Sequence, residues 1–273
     1  MSRASFTGVL FTLSLLAGGG VARAAAADDL PRLDERTALM IGANRLKLGV
    51  LAFEYGIVER VSVGTDPPAW LARAVLPVLI PNLHLKVSVY ERGPVALTVQ
   101  GGGYYARLND NASATGALLV APLSLYASFR VQPRVWLHAE GTYNFVHGFG
   151  AGDLNEAGIG GSVAAQAAQT GLMVEWRVKR IFSITALGRF QPYTGPLAFA
   201  GSGQLDPYTT VDINGSATAR VEHPWMVIGG VAFLWRYVHL TLGAGYGYYF
   251  IPGLDLPYPH QGFVPDGSVA VIL

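Results

Sequence analysis

The chain of 273 residues has no cysteine. That absence excludes a disulfide framework, a thiolate metal site, a cysteine nucleophile and lipid attachment at an N-terminal cysteine. Charge is also scarce: Asp, Glu, Lys and Arg supply 14% of residues, where soluble domains carry about 25%. A water-soluble surface of this size needs more. A net charge of +1 shows no basic excess, which argues against a nucleic-acid partner. Long apolar runs are missing too. Trp225 to Trp235 is followed by Arg236 and His239, and Ala69 to Pro81 is broken by Arg73 and Pro77. Neither reaches the about 18 consecutive apolar residues of a spanning helix. A helical hairpin over 225–251 is the weaker alternative.

What the chain does have is a hydrophobic content of 51%, with 34 Gly, 13 Tyr, 12 Phe and 5 Trp. This composition excludes disorder and points to lipid contact. Residues 1–24 read as a secretory signal peptide. Arg3 gives the positive start, Val9 to Leu16 the apolar stretch, and Ala22-Arg23-Ala24 the small-residue cleavage pattern. The alternative is an uncleaved anchor. Cleavage near Ala24 removes Arg3 and Arg23 and no acid, which turns the net charge from +1 to −1. One domain, residues 25–273, is expected to follow.

Alternation with period two dominates that domain. Leu83, Leu85, Val87 and Val89 share one face, and His84, Lys86, Ser88 and Tyr90 the other. Val135, Leu137, Ala139, Tyr143 and Phe145 oppose His138, Glu140, Thr142 and Asn144. Phe182, Ile184, Ala186 and Phe190 oppose Ser183, Thr185, Arg189 and Gln191. Leu240, Leu242, Ala244, Tyr246, Tyr248 and Phe250 alternate with Thr241, Gly243, Gly245 and Gly247. The phase slips near Thr170-Gly171, which predicts a bulge. Strands are predicted at 36–43, 45–55, 60–66, 82–91, 94–107, 115–131, 134–147, 158–178, 181–191, 225–235, 238–250 and 264–273. Their lengths suit a membrane-crossing barrel strand better than an ordinary sheet. Backbone amides in lipid must all be paired, so such a sheet closes on itself. Tyr104, Tyr105, Tyr143, Phe145, Trp176, Trp225, Trp235 and Tyr248 to Phe250 fall near strand ends, as in aromatic girdles. The fold expected is all-β: one transmembrane antiparallel β-barrel of about twelve strands. A large secreted β-sandwich is the alternative, and its outer faces should carry more charge.

Tight turns at Arg92-Gly93, Gln132-Pro133, Lys179-Arg180 and Arg236-Tyr237 are expected at the periplasmic end. Long connections near 148–157, 192–224 and 251–263 are expected at the opposite one. Tyr208 to Val221 alternates and suggests a hairpin above the membrane. Residues 67–81 look like a short helix whose side of the membrane is open.

Glu54-Tyr55-Gly56-Ile57-Val58-Glu59-Arg60, followed by Val61-Ser62-Val63-Gly64-Thr65-Asp66-Pro67, resembles the hairpin turn of Gram-negative outer-membrane β-barrels. Pro81-Asn82-Leu83-His84-Leu85-Lys86 resembles a strand opening in uncharacterised families of that kind. The resemblance implies location in the cell outer membrane, with its lipid and the barrel-insertion machinery as partners. It implies no defined activity. One departure stands out. Such barrels usually end in Phe or Trp, and this sequence ends Val269-Ala270-Val271-Ile272-Leu273.

Seven charged residues have inward parity: Lys86, Arg130, His138, Glu140, Glu175, Arg177 and Arg189. They line a lumen in one of two ways. Either they face water in a pore that passes small solutes, or they pair into a network that closes the barrel. Eight strands give a filled interior and sixteen an open channel, so twelve leaves both readings standing. An embedded lipid hydrolase would need Ser and His at the lipid-facing rim. His147 has that parity, but no matching Ser is found and no Gly-x-Ser-x-Gly elbow occurs. Gly101-Gly102-Gly103 lacks the Lys-Ser/Thr of a phosphate loop. The six histidines lack metal-ligand spacing. No enzyme activity, metal or cofactor is expected. The function expected is a passive, porin-like channel, with a closed structural barrel bearing binding loops as the alternative.

Overall fold

A computed structural model describes Leu33 and residues 36–71, 80–110, 114–154, 157–206, 209–217, 223–250 and 257–273. The expected signal peptide lies outside these residues. The chain begins its sheet with three short strands, β1 (Leu46–Gly49), β2 (Phe53–Val58) and β3 (Val61–Thr65). A five-residue helix, α1 (Pro67–Leu71), follows. Its first position is a proline, whose fixed φ suits a helix start. Longer strands come next: β4 (Asn82–Arg92), β5 (Val95–Asp110), β6 (Ala114–Gln132), β7 (Val135–Leu154), β8 (Ala157–Lys179) and β9 (Phe182–Thr194). The chain ends with β10 (Leu197–Asp206), β11 (Thr209–Ala217), β12 (Trp225–Leu234), β13 (Val238–Phe250) and β14 (Pro257–Ile272).

All pairings are antiparallel. β1 pairs with β14 and β9 pairs with β12, which closes the sheet into a ring. Of the fourteen strands, β10 and β11 stand outside it, so twelve make the barrel wall. The expected number is therefore right, but it is reached differently. Residues 36–43 form no strand, and 45–55 is two strands folded back on each other, with Gly49 N–H bonded to the Ala52 carbonyl at 2.9 Å. The 54–67 motif is the β2–β3 hairpin, and Asn82 opens β4.

The tight turns fall at one end, as the spacing predicts. The other end departs from expectation. Residues 148–157 are not a loop, because β7 and β8 stay paired up to Leu154 and Ala157. Residues 192–224 hold the β10–β11 hairpin, which docks on the upper part of β8 through Ala198↔Ala164 to Gly203↔Ile159. Of the hairpin read at 208–221, Thr209–Ala217 is β11, paired with β10; Tyr208 and residues 218–221 lie outside the described residues. Helix α1 follows the end of β3 that points away from the tight turns.

With a rise of about 3.4 Å per residue and a tilt of about 40°, each residue gains about 2.6 Å of height. Trp225 and Phe233, at opposite ends of β12, are then about 21 Å apart in height, close to the apolar band of an outer-membrane barrel. Tyr105, Tyr143, Phe190 and Tyr246 join Trp225 in an upper girdle, and Phe129, Trp176 and Trp235 join Phe233 in a lower one. The rings meet: Phe182–Phe233 at 5.1 Å, Phe233–Trp235 at 5.7 Å and Trp225–Tyr246 at 6.3 Å between centroids. Between the girdles the outward residues are apolar, with Leu83, Leu123, Leu125 and Val227 among the exposed ones.

Two girdle expectations fail. Tyr104 is buried and points inward, where its hydroxyl bonds Asp66. Phe250 is also buried inward, because the β13–β14 register shifts between Tyr248 and Phe250 and inverts the side-chain phase. The slip foreseen near Thr170 is a register shift between Ala168 and Thr170 in the β8–β9 pairing.

Candidate functional site: the lumen

Leu33 and the segment Arg36–Ile41, which the alternation assigns in part to a wall strand, lie inside the barrel. Thr37 and Ala38 are fully buried and Leu39 nearly so. The wall grips the segment's backbone with side chains. Ala38 N–H donates to Ser128 Oγ at 3.0 Å, Thr98 Oγ donates to the Ala38 carbonyl at 2.7 Å, and Lys86 Nζ donates to the Leu39 carbonyl at 3.0 Å. Higher up, Arg36 makes a bidentate pair with Asp266 on β14, both bonds at 3.1 Å. Charge-assisted bidentate pairs of this kind are among the stronger hydrogen bonds. Below, Gly42 passes so close to Gly56 of β2 that a Cβ on Gly56 would overlap the Gly42 carbonyl oxygen. Only a glycine fits there. The segment is a strap through the lumen, held by polar contacts to residues up to 230 positions away in sequence.

The lumen wall has two halves. From β4 to β9 the buried inward residues are mostly polar, including Lys86, Thr98, Ser124, His138, Thr142, Asn144 and Arg189. From β12 to β14 they are mostly apolar. Met226, Ile228, Phe250 and Val264 pack there with Met173, Leu187 and Leu33 of the strap.

Six of the seven residues expected to line the lumen are in it, and five of those pair with one another. Glu140 and Arg189 form a bidentate ion pair in which Nη2 meets Oε2 at 2.9 Å. Gly171, the cross-strand partner of Glu140, makes room for it, since a Cβ there would collide with the Glu140 carboxylate. Glu175 is a hub. Arg177 Nη2 reaches Oε1 at 3.2 Å, Ser183 Oγ donates to Oε1 at 2.6 Å, and His138 Nε2 stands 3.4 Å from Oε2. Lys86 holds the strap. Arg130 is the exception: it sits exposed at the mouth, over the Trp136 ring at 5.7 Å. Trp136 stacks on His138 at 6.0 Å and 4°.

Three groups escaped the sequence reading. Lys47, 1% exposed, has Glu54 as its cross-strand partner, and Ser62 Oγ donates to Glu54 Oε1. Asp66 gathers Tyr104 and His84 beneath α1, with His84 Nδ1 at 3.4 Å. Ser128, His138 and Glu175 form a chain, with Oγ to Nδ1 at 2.8 Å. Hairpin arithmetic across Pro133-Arg134 comes within one residue of pairing Ser128 with His138. The register shift between Arg130 and Gln132 sets that pairing. The order Ser–His–Glu is that of a nucleophile, base and acid. Here all three are 0–1% exposed, and Ser128 Oγ is occupied by the strap. His147 faces lipid as expected, beside Phe149 at 6.3 Å. Among the described residues no group of three His, Asp or Glu could hold a metal.

A closed ladder, an apolar exterior and two aromatic girdles define a transmembrane β-barrel. No protein-family model and no curated protein sequence matches the chain. Solved structures resemble it distantly. Outer-membrane OmpT of Vibrio cholerae is 11% identical, with a TM-score of 0.34 over 81% of this chain and 62% of that one. CdiB from Acinetobacter baumannii is 9% identical, with a TM-score of 0.30 over 84% of this chain and 59% of that one. A FadL homologue from Pseudomonas aeruginosa is 8% identical, with a TM-score of 0.20 over 81% and 76%. The chain spans about three fifths of the length of the first two.

Proposed function

We propose that this barrel is an outer-membrane channel for small solutes, shut at rest by its own lumenal strap. The observation behind this reading is how the strap is attached. It belongs to no strand ladder. Single hydrogen bonds, donated by Thr98 and Lys86 and accepted by Ser128, hold its backbone, and each is worth only about 0.5–3 kcal/mol net. Ladder hydrogen bonds close the wall, so the strap can leave while the barrel stays intact. Polar inward residues on β4 to β9 would then wet the vacated space. Both signs of charge are present, so strong ion selectivity is not expected. The reading involves no catalytic step.

A second reading is a permanently closed structural barrel. The Glu140–Arg189 pair and the Ser183–Glu175 bond favour it, because they tie neighbouring strands together without touching the strap. Planar bilayers separate the two. Wild-type protein should be nearly silent, and Thr98→Val/Ser128→Ala should give discrete conductance steps. If both proteins are silent, the closed barrel is correct. If the wild type already conducts fully, the strap is no plug.

A further inference from the structure

Strands β1 to β3 are only four to six residues long, so the β1–β2 turn ends in mid-membrane. The last bond along that side is Val50 N–H to the Val269 carbonyl, at 2.9 Å. Above it, among the described residues, β14 pairs only with β13. Here the outer surface is concave rather than flat. A recess of about 450 Å³ opens between Leu48, Val50, Phe53, Trp70, Val269 and Val271. That volume lies in the range of about 300–1,000 Å³ typical of small-molecule sites. Phe53 and Trp70 meet edge-on at 5.8 Å and form its upper wall.

Its depth identifies what fills it. Leu48 and Val50 are three and five residues above Arg45, or about 8–13 Å in height, within the leaflet on the tight-turn side. Every lining side chain is apolar, so a polar solute gains nothing there. The rim below is basic: Arg60 and Arg236 are exposed there, and Arg236 stacks on Tyr237 at 5.0 Å, while Arg45 turns to Gly42 and Glu59 at the lumen mouth. An apolar slot of this depth over a cationic rim matches one molecule, a glycerophospholipid of the adjoining leaflet. We propose that the recess is a specific phospholipid site. One acyl chain lies along Leu48, Val50 and Val269 against Trp70, and the headgroup phosphate meets Arg236. The site is independent of strap movement.

The test uses full-length protein reconstituted with phosphatidylethanolamine and phosphatidylglycerol, re-extracted in mild detergent and weighed by native mass spectrometry. Wild-type protein should retain one phospholipid. Val50→Trp fills the slot and should lower that occupancy by about tenfold. Arg236→Glu should lower it while leaving the slot open. Leu242→Trp, on the outward face of β13, is the control and should retain lipid like wild type. Heat-modifiable migration on gels certifies each barrel. Should Val50→Trp fail to fold, Trp70→Ser removes a wall of the same slot and should lose the lipid too. Unchanged retention in the folded slot variants, or equal loss in the control, overturns the proposal.

Discussion

Ser128 Oγ accepts the Ala38 backbone N–H at 3.0 Å and lies 2.8 Å from His138 Nδ1. One hydroxyl thus joins the strap to the wall. With the strap donating to it, Ser128 can give its own proton to Nδ1 of a neutral His138. The ring proton then sits on Nε2, facing Glu175 Oε2 at 3.4 Å. Strap and wall network share this link.

Ser128→Ala should therefore loosen the strap. It leaves a buried N–H and a ring nitrogen without partners, at a cost of about 1–3 kcal/mol each. The absence of cysteine makes the readout clean. Thr37→Cys, at a fully buried position, should resist a water-soluble maleimide, and adding Ser128→Ala should speed its labelling. Equal labelling rates would show that the hydroxyl does not hold the strap.

The Glu140–Arg189 pair is buried and spans β7 and β9 with β8 between them. Removing one partner leaves an unpaired buried charge. Arg189→Met should destabilise the barrel by about 3–5 kcal/mol. The double variant Glu140→Gln/Arg189→Met should cost clearly less, since no charge is stranded. Urea unfolding from liposomes, followed by intrinsic fluorescence, measures both. Additive losses would contradict the pairing.

Two glycines make opposite predictions. A Cβ at Gly56 overlaps the Gly42 carbonyl, whereas a Cβ at Gly141 meets nothing within 4 Å. Gly56→Ala should cost about 1–3 kcal/mol through overpacking and should raise Thr37→Cys labelling. Gly141→Ala should be neutral or slightly stabilising. The same two assays decide it.

Depth in the membrane can be tested with one charge at two heights. Leu125 lies mid-strand on β6, outward and 53% exposed. Phe149 is four residues beyond Phe145 on β7, about 10 Å higher, and 52% exposed. Leu125→Arg should cost about 2–4 kcal/mol, and Phe149→Arg no more than about 1 kcal/mol. Comparable costs in the same unfolding experiment would misplace the apolar band.

Much of this structure was legible without coordinates. The alternation His84–Lys86–Ser88 against Leu83–Leu85, or Ser183–Arg189 against Ile184–Phe190, assigns inside and outside strand by strand, because side-chain direction has a period of two. The tight turns follow from the same pattern, as does the inward placement of Glu140, Glu175 and Arg189; the count of twelve agrees only because the strand wrongly read at 36–43 offsets the two strands read as one at 45–55. Three things were not legible. Residues 36–43 alternate well enough to read as a strand, but their partners are side chains of β4, β5 and β6, so they thread the lumen. Phe250 obeys the alternation in sequence and breaks it in space, because the register shift beside it inverts the phase. Among the described residues, the connections read at 148–157 and 192–224 hold paired strands, since a glycine-rich stretch such as 148–152 carries no periodic signal.

The sequence by itself determined that this chain crosses a membrane as a closed β-barrel, because period two and scarce outward charge are local properties of each strand. The placement of residues 36–41 inside the lumen, and the meeting of Ser128 with both Ala38 and His138, come from the tertiary structure alone. Those outcomes rest on bulges and on hydrogen bonds between residues far apart in the chain. A shift of one residue in pairing reverses what faces what, and no local pattern records it.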